Sequence, residues 1–234
     1  MSTPPTPTGS TTTGPGESAR TGRGRPPRLD RTRTIETALA LLDEGGLDAL
    51  TMRRLADAMG VQAGALYRYF ATKEDLLTAM AERMTADACA PARVGAEADW
   101  SARLSDVAGS LRLALLAHRD GARVFAGTHS TGPNTLGFAD AGIGVLRDAG
   151  FDGPAAARAL MAVVNFTVGH TLEEQAALHP DGPGPADPDR LRDAVTAGGY
   201  PHLAATLPTL TSPDFAAHFA FGLKALVAGL KVLR

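Results

Sequence analysis

"RRLADAMGVQAGALYRYF", residues 53–70, holds two short runs of helical spacing on either side of Gly60 and Val61. In the first run Leu55, Ala58 and Met59 form an inner stripe, Thr51 supplies a capping hydroxyl ahead of it, and Gly60 can adopt the left-handed conformation that ends a helix. The second run predicts a helix from about Gln62 to Tyr69, with Leu66 and Phe70 four apart on the inner side. Upstream, Ile35, Ala38, Leu39, Leu41 and Leu42 repeat at three-and-four spacing, and Gly45 and Gly46 mark the stop of a first helix. Downstream, Thr72 and Asp75 sit three apart as a capping pair before Leu76, Leu77, Met80, Ala81 and Met84, a fourth helix.

Two short helices joined by a glycine-containing turn form a helix-turn-helix, in which the first braces the second for entry into the major groove of DNA. That groove, about 12 Å wide, admits one helix with modest side chains. Ala63, Gly64 and Ala65 keep the outer face slim, the hydroxyls of Tyr67 and Tyr69 can donate to phosphates, and Arg53 and Arg68 can reach phosphate or base edges. Taken singly, Tyr67 also fits a half-buried core ring and Arg68 a solvated surface charge.

The rest of the chain is consistent with an all-α protein. Ala and Leu dominate the periodic stretches, and 44% of the 234 residues are hydrophobic, ample for a core. The single cysteine, Cys89, excludes an internal disulfide framework and a multi-cysteine zinc site, which suits a reducing cytoplasm. "MSTPPTPTGSTTTGPG" lacks the basic-then-apolar order of a signal peptide. The apolar stretches near 159–172 and 215–233 are interrupted by Asn165 and His170, or by His218, Lys224 and Lys231, so no membrane span is expected.

The formal charge of −2 conceals an uneven distribution. Residues 1–34 carry six arginines against two acids, net +4, while 35–83 and 84–234 each carry −3. Residues 1–30 therefore read as a disordered basic arm that suits a polyanion or serves only as a solubilising tail. Helices are expected at about Trp100 to His118, 135–149, 154–179, 188–197 and 212–233. One helical turn lies within "RDGARVFAGTHSTGPN", and the breaks fall at "CAPARVGAEAD" and "HPDGPGPADPD". In the last helix Phe215, Phe219, Leu223, Leu226 and Leu230 form a stripe, with Gly222 and Gly229 allowing another helix to approach closely.

The segment "LTMRRLADAMGVQAGALYRYFATKEDLL" resembles the DNA-binding signature of the TetR family of transcriptional regulators through Leu50, Thr51, Arg53, Leu55, Ala56, Gly60, Val61, Leu66, Tyr67, Tyr69, Phe70, Lys73 and Leu76. The resemblance implies that Thr51, Arg53, Gln62, Ala63, Ala65, Tyr67, Arg68, Tyr69 and Lys73 face DNA. Lys73 would meet a phosphate at the positive end of the fourth helix.

"LLAHRDGARVFAGT", "VVNFTVGHTLEEQ" and "FAFGLKALVAGL" are similar to the regulatory domain of the tetracycline-responsive members of that family. In those members a histidine binds the magnesium carried by the drug; Phe125 stands there and cannot ligate a metal. Val107 and Ala141 stand where an asparagine and a glutamine grip the drug, and Leu111 replaces a phenylalanine. Thr128 and Glu173 remain in kind. The resemblance thus implies an apolar cavity lined by Val107, Leu111, Phe125, Thr128, His129, Phe138, Ala141, Leu160, Val164, Asn165 and Glu173, with no metal and no cofactor. Ordinary core packing accounts equally for Val107, Leu111, Leu160 and Val164. Asn165, if buried, either pairs internally or awaits a ligand. His170 and Glu173, three apart, fit a metal by spacing, but no third ligand is evident and a polar face is the simpler reading.

The expected organisation is a basic arm (1–30), a helix-turn-helix DNA-binding domain (31–84) and a helical-bundle domain for ligand binding and dimerisation (85–234). The expected function is that of a homodimeric repressor of an efflux or antibiotic-resistance gene. It would bind a near-palindromic operator as double-stranded DNA and leave it when a small hydrophobic effector binds. An enzyme is not expected: His129 and Ser130 are neighbours in "GTHSTG" without the strand-turn-helix of a nucleophile elbow, and no phosphate-binding loop or dinucleotide fingerprint occurs. A purely architectural DNA binder would leave the long apolar second half without a role.

Overall fold

The computed structural model describes residues 1–3, 30–89, 95, 97–178 and 188–234. The arm expected over 1–30 therefore lies almost wholly outside the described residues, as do most of the two expected breaks. Eleven helices and no strand occur among the described residues.

α1 (Arg31–Ala49) starts earlier than the hydrophobic pattern implies, because the Asp30 carboxylate accepts from the amides of Thr32 and Arg33. Gly46, at φ 76°, breaks it near its end, where the glycine pair was expected to stop it. α2 (Met52–Met59) is capped by Thr51 Oγ1, which accepts from Arg54 N at 3.1 Å. Its buried stripe is Met52, Leu55 and Ala56, whereas Ala58 is exposed and Met59 half-buried. The expected stripe of Leu55, Ala58 and Met59 is thus rotated, since Met52, next to the cap, turns inward and sets the helix phase. Gly60, at φ 66°, closes α2 with a six-to-one bond from Val61 N to Ala56 O at 3.0 Å.

α3 (Ala63–Leu66) is shorter than the helix expected over Gln62–Tyr69. A three-residue bond from Tyr69 N to Leu66 O (2.8 Å) tightens the chain into a turn, so that Phe70 can drop into the core at 1% exposure. α4 (Lys73–Ala88) carries the full Thr72–Asp75 capping box and buries Leu76, Met80, Ala81 and Met84.

The remainder comprises α5 (Trp100–Leu116), α6 (Gly121–Ala126), α7 (Pro133–Asp148), α8 (Gly153–Leu178), α9 (Pro188–Ala197), α10 (Pro201–Leu210) and α11 (Phe215–Val232). α10 was not among the expected helices; Pro201 opens it, where a missing N–H costs nothing. In α11 the buried stripe is Phe219, Leu223, Val227 and Leu230, with Leu226 and Phe215 only half-buried. Gly222 does allow close approach, since a Cβ there would lie 2.5 Å from the Phe166 ring on α8; Gly229 has nothing of this chain within 4 Å. α11 is the one helix among the described residues long and apolar enough to cross a membrane, with Lys224 and Lys231 within it.

Two apolar cores result. One joins α1–α4 to Leu111, Ala114 and Leu115 of α5, Ala122 and Val124 of α6, Phe138 of α7 and Val168 of α8. The other is built from α5, α7, α8 and α11 around Trp100, Leu104, Leu146 and Phe219. The first core does not stop at the end of the helix-turn-helix but continues through α4 into the second half.

The turn between α2 and α3 rests on the backbone of Gly60 alone, because a Cβ there would meet nothing within 4 Å. Gly60→Ala is therefore expected to lower unfolding stability by about 1–2 kcal/mol through left-handed strain without a clash, read as a lowered midpoint in urea at unchanged slope.

Candidate DNA interface and effector cavity

At the helix-turn-helix, Arg53, Gln62, Tyr67, Arg68 and Tyr69 are exposed, and neither Arg53 nor Arg68 forms an ion pair with a described residue. The adjacent Arg54 is instead held by Glu44 at 2.7 Å, which leaves Arg53 as the projecting member of the pair. Tyr67 is 50% and Tyr69 43% exposed, too open for core rings. Ala63 and Ala65 are half-buried and leave a low profile between them. Thr51 and Lys73 are already engaged. The Thr51 hydroxyl caps α2 but keeps its own proton to donate, and Lys73 Nζ lies 3.5 Å from Leu47 O. The Asp75 carboxylate accepts from Thr72 N at the start of α4, so the anion contact expected at that terminus competes with a negative side chain.

The eleven expected cavity residues do not share one chamber. Val107, Phe138 and Ala141 line a cavity of about 450 Å³ together with Ala88, Cys89, Asp106, Ser110, Pro133, Asn134 and Gly137. Phe125, Thr128 and His129 line a smaller one of about 260 Å³ with Ala81, Ser130, Thr131 and Thr135. Leu111 and Leu160 lie in the cores at 0% and 6% exposure and reach neither cavity, while Val164 packs between the two cores.

Asn165 and Glu173 are exposed on the outer side of α8. The expectation of a buried Asn165 fails because the inward stripe of α8 is Ala156, Ala159, Leu160, Val163, Thr167, Val168 and Thr171, a phase that turns residue 165 outward. Glu173 is displaced in the same way, and its neighbour Glu174 points in. Glu174, 5% exposed, receives a bidentate fork from Arg112 at 2.6 and 2.8 Å, with the guanidinium 5.1 Å from the Phe219 ring centroid. His170 pairs with the Phe215 carbonyl at 3.0 Å, and its nearest carboxylate is Glu174 at 3.9 Å rather than Glu173. Among the described residues no three acid, cysteine or histidine side chains are placed to hold a metal.

Two polar ties connect these parts, and sequence reading missed both. The break at Gly46 leaves the Leu47 amide without a helical acceptor, and Asp120 Oδ2 takes it at 2.8 Å; Arg123 then bridges Asp120 and Asp48. The second tie is Glu82. Its carboxylate accepts from Ser130 Oγ (2.9 Å), Asn134 N (2.5 Å), Thr135 N (3.1 Å) and Thr135 Oγ1 (2.6 Å), and its carbonyl accepts from Asn134 Nδ2 (3.3 Å). Glu82 thus fastens α4 to the first turn of α7 between the two cavities. Burial pushes its carboxyl pKa up, but the donors from Thr135, Asn134 and Ser130 outweigh burial and hold it below the usual glutamate value.

Comparison with known proteins places both halves. Residues 35–80 match the family described as bacterial regulatory proteins, tetR family, and residues 94–234 match the tetracyclin repressor-like C-terminal domain. The class C tetracycline repressor protein of Escherichia coli is 40% identical over 207 residues, covering 88% of this chain and 93% of that protein. A crystal structure of a possible TetR family transcriptional regulator from Streptomyces coelicolor A3(2) is 67% identical with a TM-score of 0.82, covering 88% of this chain and all of that one. The S. coelicolor TetR family protein ActR, solved in complex with actinorhodin, is 27% identical with a TM-score of 0.76, covering 87% and 96%.

Because the folded pKa of Glu82 is depressed, the unfolded chain binds its proton more readily, and the stability this residue contributes is present above the unfolded value near 4.5. That contribution is lost as pH falls through the lower folded value. Unfolding free energy measured by urea titration between about pH 5 and pH 3 is expected to fall less steeply in Glu82→Gln than in the parent protein.

Proposed function

Since the chain belongs to the tetR family of bacterial regulatory proteins, which are DNA-binding transcription factors and not enzymes, we propose that it is a ligand-responsive repressor acting as a cytoplasmic homodimer. In this reading residues 31–84 bind a near-palindromic operator, residues 85–234 bind the effector and the partner subunit, and a small hydrophobic, antibiotic-like compound releases the DNA. The regulated gene encodes an efflux or resistance function. The single observation that carries the reading is the continuity of α4. One helix starts at Lys73, beside the exposed Tyr67–Tyr69 turn, and ends at Ala88 and Cys89 in the wall of the larger cavity.

Several features support the homodimer. On the outer sides of α8 and α11, Met161 is 62% and Phe221 77% exposed, and α10 buries no residue at all. Large apolar side chains exposed to this degree suit burial against a partner, and a second copy of α8 and α11 would cover them as a four-helix bundle. Asn165 and Gly229 lie on these outer faces, where one offers a hydrogen bond and the other a close approach to the partner. Two-fold symmetry would set the half-site centres about 34–36 Å apart, or wider on bent DNA. Thr51, Arg53, Gln62, Ala63, Ala65, Tyr67, Arg68, Tyr69 and Lys73 form the DNA surface of each subunit.

The side chains favour an apolar organic effector over a metal chelate. Phe125 cannot ligate a metal, and Val107 and Ala141 offer no amide to a polar ring, so a magnesium chelate gains little here. Likeness to tetracycline repressors and to a protein bound to actinorhodin supports an organic effector. Reversing occupancy from about 99% bound to 1% needs about 5.5 kcal/mol of preference for one state. Burial of about 220 Å² of apolar ligand surface supplies that amount if it occurs in that state alone.

The test begins with the DNA flanking the protein's own gene, scanned for an operator and then used to screen hydrophobic compounds for release. Arg68→Ala and Tyr67→Ala are each expected to weaken operator binding at least tenfold while sedimentation still reports a dimer; unchanged affinity would refute the assigned surface. Ala141→Trp is expected to abolish release by the compound found and to leave operator affinity unaltered; normal release would remove the larger cavity from the mechanism.

A further inference from the structure

Besides Asp106, Val107 and Ser110 of α5, the larger cavity has two walls that belong to different helices, Ala88 and Cys89 at the end of α4 and Pro133, Asn134, Gly137 and Phe138 of α7. Among the described residues, side-chain hydrogen bonding between these walls comes from Glu82, apart from a long contact of 3.6 Å between Cys89 Sγ and Asn134 O. The fit is tight, since a Cβ at Gly132 would lie 2.6–2.7 Å from the carboxylate oxygens of Glu82. We propose that Glu82 is the positioning residue that makes α4 follow the first turn of α7, so that whatever displaces the cavity wall also displaces the recognition segment. This rests on the reading of the chain as an effector-responsive regulator.

Two walls held only by apolar contact can slide, so an effector wedged between them would move the lighter one, the first turn of α7, and leave α4 in place. A carboxylate accepting four bonds from Ser130, Asn134 and Thr135 fixes distance and direction together, because each bond weakens steeply with misalignment. Glu82 lies six residues before Ala88 and nine after Lys73, about 9 Å and about 14 Å along the helix axis. A small displacement at the cavity end is therefore carried, about a point near Glu82, to the end that adjoins Tyr67–Tyr69. Leu76, Met80 and Met84 keep the helix seated in the core while it moves, since their contacts carry no directional demand.

The experiment needs neither operator nor effector. Full-length Glu82→Gln and the double variant Ser130→Ala/Thr135→Val, which alters only the α7 side, are compared with the parent by hydrogen exchange. Spin labels at Gln62→Cys in a Cys89→Ser background report the separation of the two recognition segments. Backbone amides of 132–138 are expected to exchange about tenfold faster in both variants, and the interspin distance is expected to shift or broaden while thermal unfolding stays cooperative. Faster exchange at 132–138 with an unchanged distance would overturn the proposal, as would unchanged exchange throughout. If Glu82→Gln does not fold, the double variant decides. If sedimentation shows the parent to be a monomer, the homodimer reading fails independently. The tie is then judged by the amides of 74–84, where faster exchange in the variants supports it and unchanged exchange refutes it.

Discussion

Everything in the structure depends on α4 lying in one core that it shares with helices from both halves of the chain. Leu76, Met80 and Met84 recur every four residues on one side, and all three are fully buried. Around them lie α1–α3 on one side and parts of α5, α6, α7 and α8 on the other, in a single apolar cluster. A close-packed interior has little free volume to absorb a shift, so movement of α4 at one end must reappear elsewhere. No gap in packing accompanies the division proposed near residue 84.

Apolar packing alone would leave the angle between the halves soft. Direction comes from carboxylates placed where the chain leaves an amide unpaired. Gly46 frees the Leu47 amide and Asp120 takes it; the first turn of α7 frees the amides of Asn134 and Thr135 and Glu82 takes those. Asp120 does so from a left-handed backbone, φ 57°, an uncommon conformation for a residue other than glycine and one that the bonds to Leu47 and Arg123 sustain. Each tie spans more than 45 residues of sequence, one joining α1 to the residue that precedes α6 and the other joining α4 to the start of α7. Deeper in, Arg112 and Glu174 join α5 to α8 with the guanidinium over Phe219 of α11, so three helices around the second core also have a fixed register.

What the sequence disclosed was local. Thr51, Gly60, Thr72 and Asp75 act within one or two turns of themselves, and their roles as caps, stop and box hold in the structure. Tyr67, Arg68 and Tyr69 are exposed, as the buried Leu66 and Phe70 on the other side require, while Arg53 and Gln62 are assigned outward by the resemblance to the family's DNA-binding signature. Phase over a long helix was harder. In the 26 residues of α8 apolar side chains occur nearly all round, so no single stripe stands out, and Asn165 and Glu173 were placed inward when Thr167, Thr171 and Glu174 hold those positions. Length also misled at α3, where favourable helical residues yield to the demand that Phe70 be buried. Glu82 left no local signal, because its donors lie 48 to 53 residues away in a segment whose Ser, Thr, Gly and Pro read only as loop.

The split of the expected chamber into two follows from that same tie. Segment 128–138 crosses between the cavities, with Thr128, His129 and Ser130 facing the smaller and Pro133, Asn134 and Phe138 the larger. While Glu82 holds Asn134 and Thr135, a ligand longer than either cavity must open those bonds or lie wholly to one side. Opening them strands several donors and a carboxylate in a half-buried place, which costs more than the apolar contact a slightly larger ligand would add. The room on either side is therefore set less by the apolar lining than by a glutamate that lines neither cavity but bonds Asn134 in the wall of one and Ser130 and Thr135 in the wall of the other.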